Sequence, residues 1–495
     1  PDAAAAQDAR QQLRDALILG EEPGSPRWLA GELLEYHRRE ARPAWWAFFD
    51  RLGKSPEELL EDTEAIAYLD ADTGQPPERV KRSLVHTLVY APQDHKLRPG
   101  ESVYDPATDQ PAGKIEPIDD TNERMGRVRL VRGPKFAGDP LPQALVAGGP
   151  LEDRTQRAAL LRLAEALRAG DGRYPALRAV LGRERPRIRG LASDAPIQTT
   201  DLEAMKARAR GLDGSYLFLQ GPPGTGKTWT GARIVVDLLR HGRRVGIASQ
   251  SHKAIHNLLG EIERVALQEG IAFKGLKKSS ADNPESEYHG ALIASASDNA
   301  RFARAGTDIR LMAGTAWLFS REELDGALDD LVIDEAGQIS LADALAMGTA
   351  ARNLILLGDP LQLAQVSQGV HPPGTGASVL EHLLGDAATV PEGRGVFLER
   401  SFRMHPGVSD FISEIVYAGR LHSDASAARR ATSLGTGIRF LPVEHEGNRS
   451  SSDEEVARVA AAIAAMRAGT FTDAAEATRP LRLEDLMVGA PDNAQ

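Results

Sequence analysis

Gly221-Pro222-Pro223-Gly224-Thr225-Gly226-Lys227-Thr228 is the stretch on which the reading of this chain turns. It is a complete phosphate-binding pattern: glycine, four variable residues, then Gly-Lys-Thr. An apolar run, Tyr216-Leu217-Phe218-Leu219, precedes it and reads as a buried strand. Ile234, Val235, Leu238 and Leu239 follow at helical spacing. Strand, glycine loop and helix in that order turn a string into a site. Gly221, Gly224 and Gly226 let the backbone curl so that its N–H groups aim at phosphates, with the helix N-terminus adding its dipole. Lys227 is expected to neutralise the β and γ phosphates, and Thr228 to hold Mg²⁺ through its hydroxyl. The implied ligand is a nucleoside triphosphate.

Working outward, apolar runs at 216–219, 245–248, 309–313, 331–333 and 354–357 alternate with helical stretches. That alternation predicts an α/β fold, a parallel sheet with helices on both faces. Leu331-Val332-Ile333 delivers Asp334 and Glu335 to the carboxyl edge, where open α/β sheets bind ligands. Asp334 is expected in the Mg²⁺ shell, and Glu335 is placed to polarise an attacking water. Gly358-Asp359-Pro360-Leu361-Gln362-Leu363 follows another apolar run. Gln362 can orient water, because an amide both donates and accepts. Arg403, in Leu398-Glu399-Arg400-Ser401-Phe402-Arg403-Met404-His405-Pro406, can reach across a cleft to charge that develops in the transition state.

Composition narrows the rest. A length of 495 residues predicts several domains, and 42% hydrophobic residues suffices for packed cores. The net charge of −11 gives no global positive field, so a nucleic-acid site would be a local groove. The chain has no cysteine, which excludes disulfides, iron–sulfur clusters and thiolate zinc sites within it. No apolar run has the length of a membrane span and no signal peptide is visible, so a cytoplasmic protein without a membrane partner is expected. The start at Pro1 and the stop soon after the strand-like Leu486-Met487-Val488 read as a fragment of a longer polypeptide.

Five units are predicted: a helical region at 1–83, a β-rich domain at 84–150, a helical and basic linker at 151–197, a nucleotide-binding α/β unit at 198–390, and the start of a second α/β unit at 391–495. Trp45, Trp46, Phe48 and Phe49 are read as core rather than as a base-stacking surface. The alternating Arg185, Arg187 and Arg189 read as an exposed linker or a phosphate contact. His252 and His256 have the spacing of a zinc pair, but Lys253 stands where a zincin carries Glu. Asp94-His95-Lys96 reads as a loop.

Together these motifs and Ser251-His252-Lys253-Ala254-Ile255 resemble superfamily-1 helicases, in the group of the nonsense-mediated-decay RNA helicase and its DNA-acting relatives. The resemblance covers about 198–495, in the family's order. A looser one, over 33–52, is to the linker of bacterial proteins that fuse a RecB-like nuclease to such a helicase. The resemblance implies two RecA-like lobes with ATP between them, a first ATPase lobe at 198–390 and an incomplete second lobe at 391–495, with 84–150 as an accessory domain. It also implies 5′-to-3′ movement along a single strand, DNA favoured over RNA. Ser251, His252, Gly314 and Thr315 would then touch the strand, and Arg403 the γ phosphate. A nuclease domain would lie upstream in the parent chain. A strand-gripping module gated by ATP, without unwinding, is the alternative. Three departures stand out. No Gln occupies 200–206, where the family reads adenine, and Gln198 is off register. Asp492 replaces a family Tyr. The family's last two motifs are absent from these 495 residues.

Overall fold

The structure is a computed structural model that describes residues 2–119, 122, 124–136, 138–150, 152–280, 283–362, 365–448 and 451–490. The expectations placed on Leu363 and on 491–495 fall outside these residues.

Four helices open the chain: α1 (Asp2–Ile18), α2 (Pro26–Leu33), α3 (Tyr36–Leu52) and α4 (Pro56–Leu59). Ser25 caps α2 by accepting the Trp28 amide, with Pro26 at the first helical position, where a missing N–H costs nothing. Strands begin at Ala65, earlier than the expected boundary at 84. Eight of them, β1 (Ala65–Ala67) through β8 (Ala144–Ala147), form an antiparallel sheet over a separate core that includes Leu88, Val103, Val128 and Leu145. α5 (Arg154–Ala169), α6 (Pro175–Leu181) and α7 (Leu202–Gly211) lead into the second large sheet.

That sheet is parallel, in the order β12-β11-β13-β10-β14-β15-β9-β16. Its strands are β9 (Tyr216–Gln220), β10 (Val245–Ala248), β11 (Lys274–Lys278), β12 (Ile293–Ala296), β13 (Ile309–Gly314), β14 (Leu328–Ile333), β15 (Ala351–Gly358) and β16 (Gly395–Phe397). β9 is buried at every residue. Alternate side chains leave opposite faces of a strand, so Tyr216 and Phe218 enter one core and Leu217 and Leu219 the other. The first core takes in Leu13, Leu29 and Leu33 of α1 and α2 with Leu160 and Leu177 of α5 and α6. The helices α1 and α2 thus pack into the core on one face of the parallel sheet rather than forming a region of their own. The second core joins α7 to α8 (Lys227–Arg240) and α9 (His252–Gln268), through Met205, Val235 and Leu258.

Three expectations are revised. β16, assigned by sequence to the second lobe, pairs in parallel with β9 in the first. Of the aromatic cluster only Phe48 is buried, edge-on to Tyr104 at 5.0 Å; Trp46 and Phe49 are 70% and 60% exposed. Residues 486–488 form no strand. After β16 come two short paired strands, Arg400–Ser401 and His422–Ser423, with a helix, Pro406–Val416, packed on the second, then a three-stranded antiparallel sheet and a helix, Asp453–Arg467, with no buried residue. The basic run is tied to the fold's own carbonyls: Arg185 donates to Ala195 and Arg187 to Gly214. No helix among the described residues is long and apolar enough to cross a membrane.

Candidate nucleotide site and strand edge

β9 ends on Gln220, and the chain turns through 221–226 before α8 begins at Lys227. Gly224 and Gly226 have φ of +77° and +82°, the left-handed region that glycine enters without steric cost. The Gly221 N–H donates to the Gly358 carbonyl at 2.9 Å, tying the loop to the end of β15. Lys227 Nζ donates to the Gly221 carbonyl at 2.7 Å, and Thr225 Oγ1 to that of Pro222 at 2.7 Å. The loop is closed over from outside its own segment. Ser401 Oγ donates to the Pro223 carbonyl at 3.0 Å, and the Phe402 N–H to that of Gly224 at 2.9 Å. A Cβ on Gly224 would overlap the Cβ of Arg403. The Arg403 guanidinium has no ion-pair partner among the described residues.

Asp334 follows β14 and is 4% exposed. Its N–H donates to the Ala248 carbonyl at 2.8 Å, and its Oδ1 accepts the Glu335 N–H at 3.0 Å. Burial, then the adjacent Glu335 charge, pushes its carboxyl up to about 6, with Lys227 pulling the other way. Glu335 has φ +53°, a strained value for a residue with a Cβ. Gln362 reaches this neighbourhood through Asp359, which sequence reasoning quoted but gave no role. Asp359 is 4% exposed and accepts from Gln220 Nε2 at 3.3 Å, Gln362 Nε2 at 3.1 Å and the Tyr417 hydroxyl at 2.6 Å. Burial and then the Asp359 bond push the Tyr417 hydroxyl well above its ordinary range. The signal for Asp359 was an Asp-Pro pair directly after an apolar strand. Nothing in the local pattern flagged Tyr417 or Ser401.

Gln198 is engaged elsewhere. Its Nε2 donates to the Phe397 carbonyl at 3.0 Å and its Oε1 accepts the Phe397 N–H at 2.7 Å, so both ends of the amide hold β16.

The remaining predicted residues lie further along the same carboxyl edge. Ala248 is registered against Gly314, so β10 and β13 end side by side. Ser251 caps α9 by accepting the Ala254 N–H at 3.1 Å, and His252 begins that helix, half-buried. A Cβ on Gly314 would lie 2.7 Å from Leu318 Cδ2, so the backbone there packs too closely for a side chain. Thr315 follows it, half-buried.

A family described as an AAA domain matches residues 202–372. The DNA replication ATP-dependent helicase/nuclease JHS1 of Arabidopsis thaliana is 27% identical over 223 residues, covering 44% of this chain and 16% of that protein. A regulator of nonsense transcripts 1 homolog from Drosophila melanogaster is 28% identical over 251 residues, with coverages of 44% and 21%. The chain thus spans about a quarter or less of the length of such relatives. Among solved structures, that of the arterivirus nonstructural protein 10 helicase aligns over 72% of this chain and 57% of that one, at 16% identity and a TM-score of 0.31. Residues 202–372 thus match an AAA-domain family, and the chain that carries them is similar to superfamily-1 helicases of the group that holds the DNA-replication helicase/nucleases and the regulators of nonsense transcripts.

Proposed function

We propose that these residues are the ATPase core of a nucleic-acid helicase or translocase, which hydrolyses ATP to move along a single strand, 5′ to 3′, with DNA favoured over RNA. The observation that carries this reading is a single sheet edge. It presents the triphosphate loop after β9, two carboxylates after β14, and Ser251, His252, Gly314 and Thr315 after β10 and β13. Closure at one site can then be felt at the other through β14, which pairs directly with β10.

Lys227 and the loop amides bind the β and γ phosphates, and Glu335 takes the proton of the attacking water. Gln362 orients that water, and Arg403, already seated on the loop, meets charge growing on the γ phosphate. The Thr228 hydroxyl and Asp334 would hold Mg²⁺. Both are hard oxygen donors, and the penalty on ionised Asp334 is what a divalent cation relieves. When bound, that ion supplies charge neutralisation at the phosphates. The proposal takes the antiparallel sheet as an accessory domain, the residues after β16 as the beginning of a second lobe, and a nuclease segment as lying upstream in the parent protein.

The test is phosphate release by the parent protein with and without single strands. Turnover should rise with strand and fall by about 100-fold or more in Lys227→Ala. Wild-type turnover in that variant rejects the assignment. A strand-displacement assay then separates unwinding from ATP-gated gripping.

A further inference from the structure

The carboxyl ends of β10, β11 and β13 form one row, because Ala248 is registered with Gly314 and Lys277 with Ala313. Lys277 has no solvent exposure. Its ammonium meets His252 Nδ1 at 2.9 Å and also donates to the Ser286 carbonyl. Among the described residues no carboxylate acts on it. A buried ammonium without a counter-ion is a costly arrangement, so its hydrogen bonds define it. An ammonium has donors only, which makes His252 Nδ1 the acceptor. The imidazole is then neutral, with its proton on Nε2. Among the described residues no protein group holds that Nε2.

We propose that Lys277 is a positioning residue for the nucleic-acid strand: it locks His252 as an uncharged imidazole whose Nε2–H is turned to the strand. The proposal rests on the reading of Ser251 and His252 as strand contacts. Such a donor recognises a phosphate or base edge by hydrogen-bond direction and adds no charge that varies with pH.

The groups around the imidazole all favour this state. Lys277 and Lys278 face it from β11, and His256 from its own helix. His256 in turn faces Lys277, His289, the Ser286 carbonyl and the Tyr288 ring, 5.3 Å away. Lys278 feels Arg321 and Asp298. Glu263, on the same helix, is taken up by the Tyr288 hydroxyl and the amides of Ala291, Leu292 and Ile293. Burial, then the Lys277 charge, pushes the His252 imidazole down to about 4.

The test uses the whole chain with a fluorescein-labelled oligothymidylate, followed by anisotropy at fixed ionic strength between about pH 5.5 and 8. Wild type and His252→Gln should show parallel pH profiles, with His252→Gln weaker throughout. In Lys277→Met the nearest charge opposing protonation is gone while burial remains, so the imidazole titrates higher than in wild type and binding should tighten by about twofold to tenfold toward the acid end relative to wild type. A Lys277→Met profile parallel to wild type overturns the proposal. Nitrogen-15 spectra of histidine-labelled wild type provide a measurement that needs no variant. His252 should keep a bare Nδ1 and a protonated Nε2 across the range; the opposite tautomer, or titration near about 6.5, overturns it too. A His252→Ala chain that binds the strand as tightly as wild type fails differently. It removes the strand contact itself, and the positioning role with it, whatever the tautomer.

Discussion

Asp334 and Glu335 are sequence neighbours under opposite constraints: one is held in the dark of the sheet edge, the other is turned out by a left-handed backbone. The folded Asp334 carboxyl titrates at about 6 against an ordinary 3.8. A raised folded value means that the fold favours the protonated form. Its contribution is therefore fully present below about pH 4 and lost as pH rises through about 6. At pH 7.5 the ionised group costs on the order of 3 kcal/mol at most. Asp334→Asn should then gain on the order of 1–3 kcal/mol at pH 7.5 without nucleotide, gain little near pH 4, and lose nearly all ATP turnover. Urea melts at the two pH values and a phosphate-release assay check this; equal stability at pH 7.5 would show that burial is not penalising the charge. Gly224→Ala tests the neighbouring contact. Positive φ costs the alanine about 1–2 kcal/mol, and its Cβ displaces Arg403. The KM for ATP should rise more than the melting temperature falls, because the backbone that cradles phosphate is what moves.

Among the elements, β16 is held by the Gln198 amide. With both ends of Gln198 bonded to Phe397, no glutamine is free to read adenine there. ATP and GTP should be hydrolysed with KM values within about threefold of each other, since a site with no buried group matched to the base discriminates weakly. A preference for ATP of a hundredfold would place an adenine reader elsewhere in the fold. The same strands show how far a sequence can be read. β9, β10, β13, β14 and β15 each carry a short apolar run, and the parallel sheet with its phosphate loop and carboxylates follows from them. β11 was missed because Lys274-Gly275-Leu276-Lys277-Lys278 has no apolar pattern, yet Lys277 is wholly buried. Three-residue β16 was too short to signal which sheet it joins. The aromatic cluster on α3 failed for a different reason: hydrophobicity says a ring can be buried, and only packing says which one is. Asp359 lay in a quoted motif, but its four-way hydrogen bonding comes from residues as distant as Gln220 and Tyr417.

Across the whole molecule, α3 connects the two large sheets. At one end Phe48 packs on Tyr104 of the antiparallel sheet. At the other, α3 grips the segment that follows Gln362. Glu40 accepts from the Ser367 hydroxyl, the Gln368 N–H at 3.0 Å, the Gly369 N–H at 3.2 Å and His371 Nε2. Tyr36 stacks on His371 at 4.6 Å and accepts from Gln365 Nε2 at 2.6 Å. Burial would raise the Glu40 carboxyl, but these hydrogen bonds outweigh it and hold it below its ordinary value. A depressed value means stability that is present above about pH 4.5 and lost as pH falls through the lower folded value. Glu40→Ala should therefore loosen 365–371, seen as faster amide exchange at Gln368 and Gly369, and shift Gln362 from the position in which it is proposed to orient water. Strand-stimulated kcat is expected to fall roughly fivefold to tenfold while the KM for ATP stays within about twofold, because the phosphate loop is untouched. Glu40→Gln, which keeps an acceptor of the same size, should recover part of the exchange protection. If exchange rises in Glu40→Ala with kcat unchanged, the grip is structural only, and the antiparallel sheet has no mechanical line to the hydrolysis site through α3.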